Sequence, residues 1–199
     1  TAGLTGTARF SRLDLLVQDT PLTATQEVVI GFSPTQIDFR SARFTGTGSD
    51  LTISGVKALT DAGINSLAIT GTVNLALLNA FPQVEASDTF FGGTARNVSI
   101  RLSGPNATAR ITGSADLDNA AIATFVGRSR LTFERLKGQV LFASNQAQIQ
   151  INEGYLGGGP INATGGALGS LGGQFLRVTS DERKTLLAAG AAAGMAATF

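Results

Sequence analysis

The sequence predicts an all-β protein of antiparallel strands, and three observations support this prediction. Apolar and polar residues alternate with a period of two, turn-forming residues recur at short intervals, and 25 of the 199 residues are glycine. Successive side chains of a strand point to opposite faces, so this alternation gives each strand one apolar and one polar face. The pattern is typical of antiparallel sheets that have one side in solvent.

The alternating apolar positions define one candidate face of the sheet. The residues between them are mostly Thr, Ser, Asn, Gln, Arg and Asp, which suit a solvated side. We predict that the following residues line the interior of the sheet: Val28, Ile30, Phe32, Ile37, Phe39, Leu51, Ile53, Leu67, Ile69, Val98, Ile100, Leu102, Ile111, Leu131, Phe133, Val140, Phe142, Ile149 and Ile151.

Turn-forming segments separate the alternating runs. The clearest are Ser33-Pro34-Thr35, Gly104-Pro105-Asn106 and Ser144-Asn145-Gln146. Proline fixes φ, whereas glycine and asparagine accept the unusual backbone angles of tight turns. Their short spacing predicts many strands joined by hairpins.

Three segments interrupt the alternation and predict one or two short helices and a helical tail. Residues 75–81 have apolar side chains at spacings of three and four and stop before Pro82, which predicts a helix of about two turns. Residues 118–125 show a weaker pattern of the same kind. A capping-box arrangement from Thr179 to Glu182 precedes an Ala-rich segment, so residues 181–199 form either a helix or a frayed tail.

Two parts of the chain resemble each other. Residues 28–55 and 138–165 both contain strand, turn, strand, a Gly-rich elbow and a strand that ends in Gly. In this alignment Ile37 and Phe39 correspond to Ile149 and Ile151. The similarity predicts a repeated β segment over residues 1–180, with units at about 8–65 and 128–175 that stack in a row.

The composition excludes several kinds of chemistry. Without Cys or His, the chain has no disulfide framework, thiolate nucleophile, zinc finger or Ser-His-Asp triad. The Gly-rich residues 154–173 lack the Lys-Ser or Lys-Thr pair that closes a phosphate-binding loop. The acidic residues are mostly isolated, and Asp116-Leu117-Asp118 is the nearest approach to a cation loop. We therefore expect no enzyme activity, no cofactor and no metal.

Charge and hydropathy limit the partners. The net charge is +1 and the basic residues are spread along the chain, so we expect no nucleic-acid partner. Arg128, Arg130, Arg135 and Lys137 form the densest basic run, for which a solvated face is the simpler interpretation and contact with acidic head groups the alternative. The longest weakly polar run, residues 186–199, is too short for a spanning helix. Because initiator Met and signal peptide are both missing, we interpret the chain as part of a longer protein.

Three ordered stretches resemble the C-terminal region of the TamB family, the translocation and assembly module within the AsmA-like superfamily. The first reads Gly-Thr-Val-Asn-Leu-x-Leu-Leu-x-x-Phe-Pro at residues 71–82. The second is a glycine-to-glycine hairpin at residues 102–120. The third extends over residues 136–165, from Leu-Lys-Gly-Gln-Val-Leu-Phe to Gly-Gly-Gly-Pro-Ile-Asn-Ala-Thr-Gly. Together they cover about residues 66–173. Residues 1–65 share the resemblance through the internal repeat, whereas the Ala-rich tail does not match.

The resemblance implies a curved antiparallel sheet that forms an open hydrophobic groove, the β-taco. TamB-like proteins are anchored in the inner membrane of diderm bacteria and extend through the periplasm. They are implicated in carrying phospholipid to the outer membrane, and in outer-membrane protein assembly with a barrel partner, TamA. The resemblance therefore implies phospholipid and a barrel protein of the TamA type as partners, and the periplasm as the location.

The alternation by itself is compatible with two arrangements of the apolar face. An open face can shield acyl chains, because each buried methylene contributes about 0.8 kcal/mol. The same face can also close on itself as an ordinary sandwich or barrel core, as in a structural or adhesive module of a secreted surface protein. An enzyme on a β-sandwich is a third possibility, but it requires a paired carboxylate site that we do not find in the sequence.

Overall fold

The computed structural model describes residues 3–80, 84, 88–126, 128–144, 146–168, 173–180, 185–191 and 196–198. Fifteen strands join in a single sheet in which every pairing is antiparallel. The all-β prediction is therefore confirmed. The strands are β1 (Gly6–Phe10), β2 (Asp14–Val17), β3 (Thr20–Ala24), β4 (Val28–Phe32), β5 (Gln36–Gly46), β6 (Ser49–Ala58), β7 (Ile64–Asn74), β8 (Phe90–Pro105), β9 (Arg110–Val126), β10 (Ser129–Ala143), β11 (Gln146–Leu156), β12 (Gly159–Leu168), β13 (Gly173–Ser180), β14 (Thr185–Ala191) and β15 (Ala196–Thr198).

The sheet is a meander over most of its width. From β4 to β15 each strand lies beside the next strand in the chain, and β1 extends the sheet beyond β4. Near the first strands of the sheet, β5 has two neighbours on the same edge. Strand β4 pairs with residues 37–41, and β3 pairs with residues 44–46. Strand β2 pairs with β3. The row of strands runs from β1 to β15 without joining its ends, so the sheet is open.

Bulges interrupt the pairing of the long strands. The pairing register slips around residues 40–41 of β5, 97–98 of β8, 119–120 of β9, 134–135 of β10 and 152–153 of β11. A bulge bends its strand and increases the local twist. Asn97, Asn119 and Arg135 adopt positive φ at these positions. These bulges therefore mark the places where the long strands bend.

Two apolar clusters form the core on the apolar side of the sheet. The first cluster has as its buried members Leu22, Val28, Ala42, Phe44 and Leu51. The second cluster lies toward the other end of the sheet and has as its buried members Leu75, Ala95, Val98, Ala115, Ala120, Phe133, Leu136, Ile151 and Ile161. Val73 packs against both clusters, so the core is continuous at β7.

The helix predicted over residues 118–125 is wrong, because this segment lies within strand β9. The inward residues of β9 are Ala115, Leu117, Ala120 and Ile122, and the step of three between Leu117 and Ala120 comes from the bulge at residue 119. A single bulge therefore produces the spacing that resembles a helix. Because this segment pairs with β8 on one side and with β10 on the other, it forms a strand despite its helical spacing.

The helix predicted from residue 181 to about 193 is also wrong where the structure describes it. Residues 185–191 form β14, which pairs with β13, and residues 196–198 form β15. Alanine favours helices, but the backbone bonds of a neighbouring strand override this weak preference. Residues 181–184, which include the second half of the capping box, lie outside the described residues.

The predicted helix over residues 75–81 is present in a tighter form. Residues Leu75–Ala80 form a 3-10 helix, and residue 81 lies outside the described part. A second 3-10 helix, Asn106–Thr108, follows the predicted turn at Gly104-Pro105-Asn106. The turn predicted at Ser33-Pro34-Thr35 lies between β4 and β5.

The two halves of the proposed repeat bend at corresponding places. In β5 the bulge follows Phe39, and in β11 it follows Ile151, the residue aligned with Phe39. Both strands are the centre of an antiparallel triplet, β4–β5–β6 and β10–β11–β12. This correspondence favours the repeat, which stays a prediction.

Candidate hydrophobic groove

Apolar side chains align in rows across the central strands. Ile53 of β6 pairs with Ile69 of β7, which pairs with Ile100 of β8. In antiparallel strands, directly opposite residues point to the same side of the sheet. Each row therefore places apolar side chains next to one another in the direction that crosses the strands.

A second row lies two residues farther along the strands, and the first row continues beyond β8 through Gly113 of β9 to Phe142 of β10. Leu67 pairs with Leu102, which pairs with Ile111 of β9. Farther along the sheet, Val140 of β10 pairs with Ile149 of β11, on the same side. The apolar face thus extends from β6 to β11 without an interrupting charged residue in these rows.

The predicted interior residues differ in how deeply they are buried. Val28, Leu51, Val98, Phe133 and Ile151 are buried, Ile111 is 38% exposed, and the remaining predicted residues are half-buried. In the described part of the chain, seven of these half-buried residues belong to neither core cluster. We call them the trough residues: Phe32, Ile37, Leu67, Ile69, Leu102, Val140 and Phe142.

The opposite face of the sheet is polar and charged. Arg43 donates two hydrogen bonds to Asp50, with distances of 2.9 Å and 2.8 Å, and Arg96 forms an ion pair with Asp118 at 2.8 Å. The hydrogen bonds from Arg43 lower the pKa of Asp50 and raise the pKa of Arg43. The charges of these ion pairs therefore lie on the outer face, whereas Lys57, directly opposite Ile37, lies on the apolar side.

Asp116 accepts hydrogen bonds from two neighbouring strands on this outer face. Asn97 Nδ2 of β8 lies 2.8 Å from Asp116 Oδ2, and Gln139 Nε2 of β10 lies 3.2 Å from Oδ1. These two bonds, that of Asn97 first, lower the pKa of the Asp116 carboxyl. Both donors are neutral amides, so Asp116 links β9 to the strands on either side of it.

A polar cluster ends the apolar face at one end of β6 and β7. Lys57 Nζ donates to the backbone oxygen of Ala58 at 3.1 Å, to Asn65 Oδ1 at 3.2 Å and to Asn106 Oδ1. Asn65 is only 1% exposed and also donates to the carbonyl of Gly104 at 3.2 Å. The three donors of the ammonium group are thus satisfied by oxygens of the chain itself.

This polar cluster lies on the same side of the sheet as the trough. Lys57 alternates in phase with Ile53, and Asn65 alternates in phase with Leu67, so both point to the apolar side. The apolar rows therefore stop at a polar edge. Sequence reasoning missed this cluster, although an asparagine at an inward position of an otherwise apolar strand is a visible signal.

The β2–β3 hairpin covers one part of the apolar face. Leu22 of β3 is buried against Phe44 and Leu51, and Leu13 and Val17 pack against the same cluster. Leu77 of the 3-10 helix reaches this cluster as well. The chain therefore closes its own face near β5 and β6.

We call the β2–β3 hairpin and the 3-10 helix Leu75–Ala80 the cover. Asn79 joins the cover to the sheet. Its side chain donates to the backbone oxygen of Phe91 at 2.9 Å and accepts from the backbone nitrogen of Phe91 at 2.8 Å. The backbone oxygen of Asn79 accepts a hydrogen bond of 2.8 Å from Gln18, in the turn between β2 and β3. Asn79 thus bonds to β8 as a residue of a neighbouring strand would, and it links β8 to the β2–β3 hairpin.

Fold and site together define an all-β protein with one large, open antiparallel sheet that has apolar side chains aligned on one of its sides. No group of three or more acidic side chains in the described part of the chain is placed to hold a metal ion. Nor does that part contain a helix with the length and apolar character needed to cross a membrane. No protein-family model, curated protein or solved structure matches the chain. The resemblance to TamB therefore depends on the quoted motifs alone.

Proposed function

We propose that this chain is a non-catalytic segment of a hydrophobic conduit that shields and passes phospholipid acyl chains. The single observation that supports it best is the set of trough residues, which are aligned across successive strands and half-buried without belonging to either core cluster. An acyl chain laid along these rows would be removed from water at about 0.8 kcal/mol per methylene.

The arrangement of charges suits movement along the rows. A lipid passes smoothly only if its free energy changes little with position, and a charge in the path would create a barrier. The trough residues are all aliphatic or Phe, while Arg43, Asp50, Arg96 and Asp118 lie on the outer face. Lys57 lies at the edge of the apolar face, with its donors already occupied.

The cellular setting follows from the resemblance to TamB. We propose that the full-length protein is anchored in the inner membrane, spans the periplasm and connects inner and outer membrane. We also propose a role in outer-membrane protein assembly, with a barrel protein of the TamA type as partner. These proposals are supported by the quoted motifs and by an open antiparallel sheet that can be extended at both ends.

A structural or adhesive module of a secreted surface protein is the second candidate. The observation that favours it is the cover, because the β2–β3 hairpin and the 3-10 helix fill part of the apolar face with the chain's own residues. In such a module the interior is dry and needs no lipid. The two candidates therefore differ in whether the trough residues contact phospholipid.

Native mass spectrometry after mild extraction separates these candidates. The conduit predicts phospholipid bound to the wild-type chain. The variant Ile69→Glu places a charge in the middle of an apolar row and should therefore lose the bound phospholipid. The neighbouring residue Thr70 is exposed on the opposite face, so Thr70→Glu is the matched control and retains lipid. Circular dichroism checks that both variants keep their strands.

The result that would overturn the conduit is a bare wild-type mass, or equal lipid content in the two variants. A bare mass favours the closed module. Equal lipid content means that phospholipid binds elsewhere on the chain.

A further inference from the structure

Strands β8, β9 and β10 project beyond their neighbours at one end. The pairing of β7 with β8 ends at Thr94, and that of β11 with β10 ends at Phe133. Beyond these points the three strands pair with one another, through Phe90 opposite Ala123 and Arg130 opposite Phe125, and the side chain of Asn79 bonds to the backbone of Phe91. We call this part, residues 88–92, 122–126 and 128–132, the hairpin tip.

Two large aromatic side chains are exposed on one side of the hairpin tip. Phe90 is 53% exposed and Phe125 is 47% exposed. The next residue, Phe91, and its partner across the strands, Ile122, point the other way and pack against the second cluster. Phe90 and Phe125 therefore lie on the outer face, where they contribute nothing to the core.

Basic side chains surround these two rings. Arg130 is directly opposite Phe125, and Arg128 lies in the adjoining turn; both are exposed. Within the described residues neither forms an ion pair, whereas Arg96, farther along β8, is paired with Asp118. Nearby Arg135 stands over the ring of Tyr155 at 5.6 Å.

The acidic residues next to the tip leave it positive. Asp88 and Glu134 are the exposed carboxylates closest in the chain to Phe90 and Arg135. Within the hairpin tip itself, Arg128 and Arg130 outnumber Asp88, so these residues carry one net positive charge. The tip thus combines exposed aromatic rings with excess positive charge at the end of a projecting hairpin.

We propose that the hairpin tip binds the surface of an anionic phospholipid bilayer. Phe90 and Phe125 enter the boundary between head groups and acyl chains, and Arg128 and Arg130 contact lipid phosphates. Aromatic and basic residues together are typical of membrane interfaces, where each ring leaves water and each cation meets negative surface potential. Phe90 and Phe125 lie on the outer face, so this surface is separate from the trough residues.

Flotation of the 199-residue chain with vesicles tests the proposal. Vesicles of phosphatidylcholine with phosphatidylglycerol should bind the chain, and vesicles of phosphatidylcholine alone should bind it much less. Each arginine near an anionic surface contributes about fivefold in binding, so the double variant Arg128→Ala/Arg130→Ala lowers the partition coefficient by about tenfold or more. The variant Phe90→Ser/Phe125→Ser lowers it by a similar factor.

Matched variants on the same strands control for general effects. Arg101→Ala/Arg110→Ala removes two exposed arginines at the opposite ends of β8 and β9, and Leu141→Ser removes an exposed apolar residue of the outer face. Both should bind as the wild type does. Equal binding to the two kinds of vesicle, or equal losses in tip and control variants, would overturn the proposal. The lipid content of Ile69→Glu is a separate result, so the two proposals can fail independently.

Discussion

Asn79 is the single residue on which the cover depends most. Its side chain satisfies both backbone groups of Phe91, so Asn79→Ala leaves a donor and an acceptor unpaired. We expect a loss of about 1–3 kcal/mol in the free energy of unfolding. Gln18→Ala removes only the exposed bond to the backbone of Asn79 and should cost less than about 1 kcal/mol. Urea unfolding measures the free energy of unfolding of both variants. Equal losses would contradict the role given to the Asn79 side chain.

The carboxylates of the outer face make stability depend on pH. Hydrogen bonds hold the pKa values of Asp14, Asp50 and Asp116 below the ordinary value for aspartate. The unfolded chain therefore takes up protons first as the pH falls, and folding stability is present above about pH 4 and declines below it. Urea midpoints from pH 6 to pH 2.5 should fall, with a smaller fall in Asp50→Asn. A variant that keeps the full wild-type slope would contradict this explanation.

Individual residues show what the sequence can and cannot predict. The inward position of Leu67, Ile69 and Val140 followed from alternation, because the period of a strand is fixed by its backbone. The roles of Asn79 and Lys57 did not follow, since their partners lie 12 and 49 residues away in the chain. Only the pairing of distant strands brings such groups together.

At the scale of elements, Gly113 of β9 permits the close packing of β8 and β9. Its φ is +134°, and a Cβ atom there would lie 1.9 Å from the backbone oxygen of Ser99. Gly113→Ala should therefore cost at least about 2 kcal/mol. Gly92 of β8 has its nearest neighbour at 3.9 Å, so Gly92→Ala should be neutral or stabilise the chain by up to about 1 kcal/mol. Thermal unfolding compares the two, and similar losses would argue against this packing.

Bulges explain why some elements were predicted and others were not. Strands β4, β5 and β6 were evident from their alternation and from the turn at Ser33-Pro34-Thr35. In β9 the bulge at residue 119 shifts the inward phase by one residue, and the sequence then resembles a helix. Pattern reasoning assumes an unbroken period, so it fails where the sheet bends.

At the scale of the whole molecule, the chain's own residues cover the apolar face at some places and leave it uncovered at others. The cover fills the apolar face near β5 and β6, while the trough residues from β7 to β10 lie outside both clusters. Alternation predicts an apolar face but leaves its covering undecided, because an acyl chain and a second layer of side chains are equally apolar. The open sheet itself became evident only from the pairing of the strands.

Photo-crosslinking at two adjacent residues of β10 tests the conduit most directly. Val140 is a half-buried trough residue, and its neighbour Leu141 is apolar and 43% exposed on the outer face. A photoreactive residue is placed at each position in turn, and lipid adducts are counted by mass spectrometry after irradiation in cells. The conduit predicts that Val140 gives several times more phospholipid adducts than Leu141, although Leu141 is the more accessible of the two. Equal yields, or a higher yield at Leu141, would contradict it.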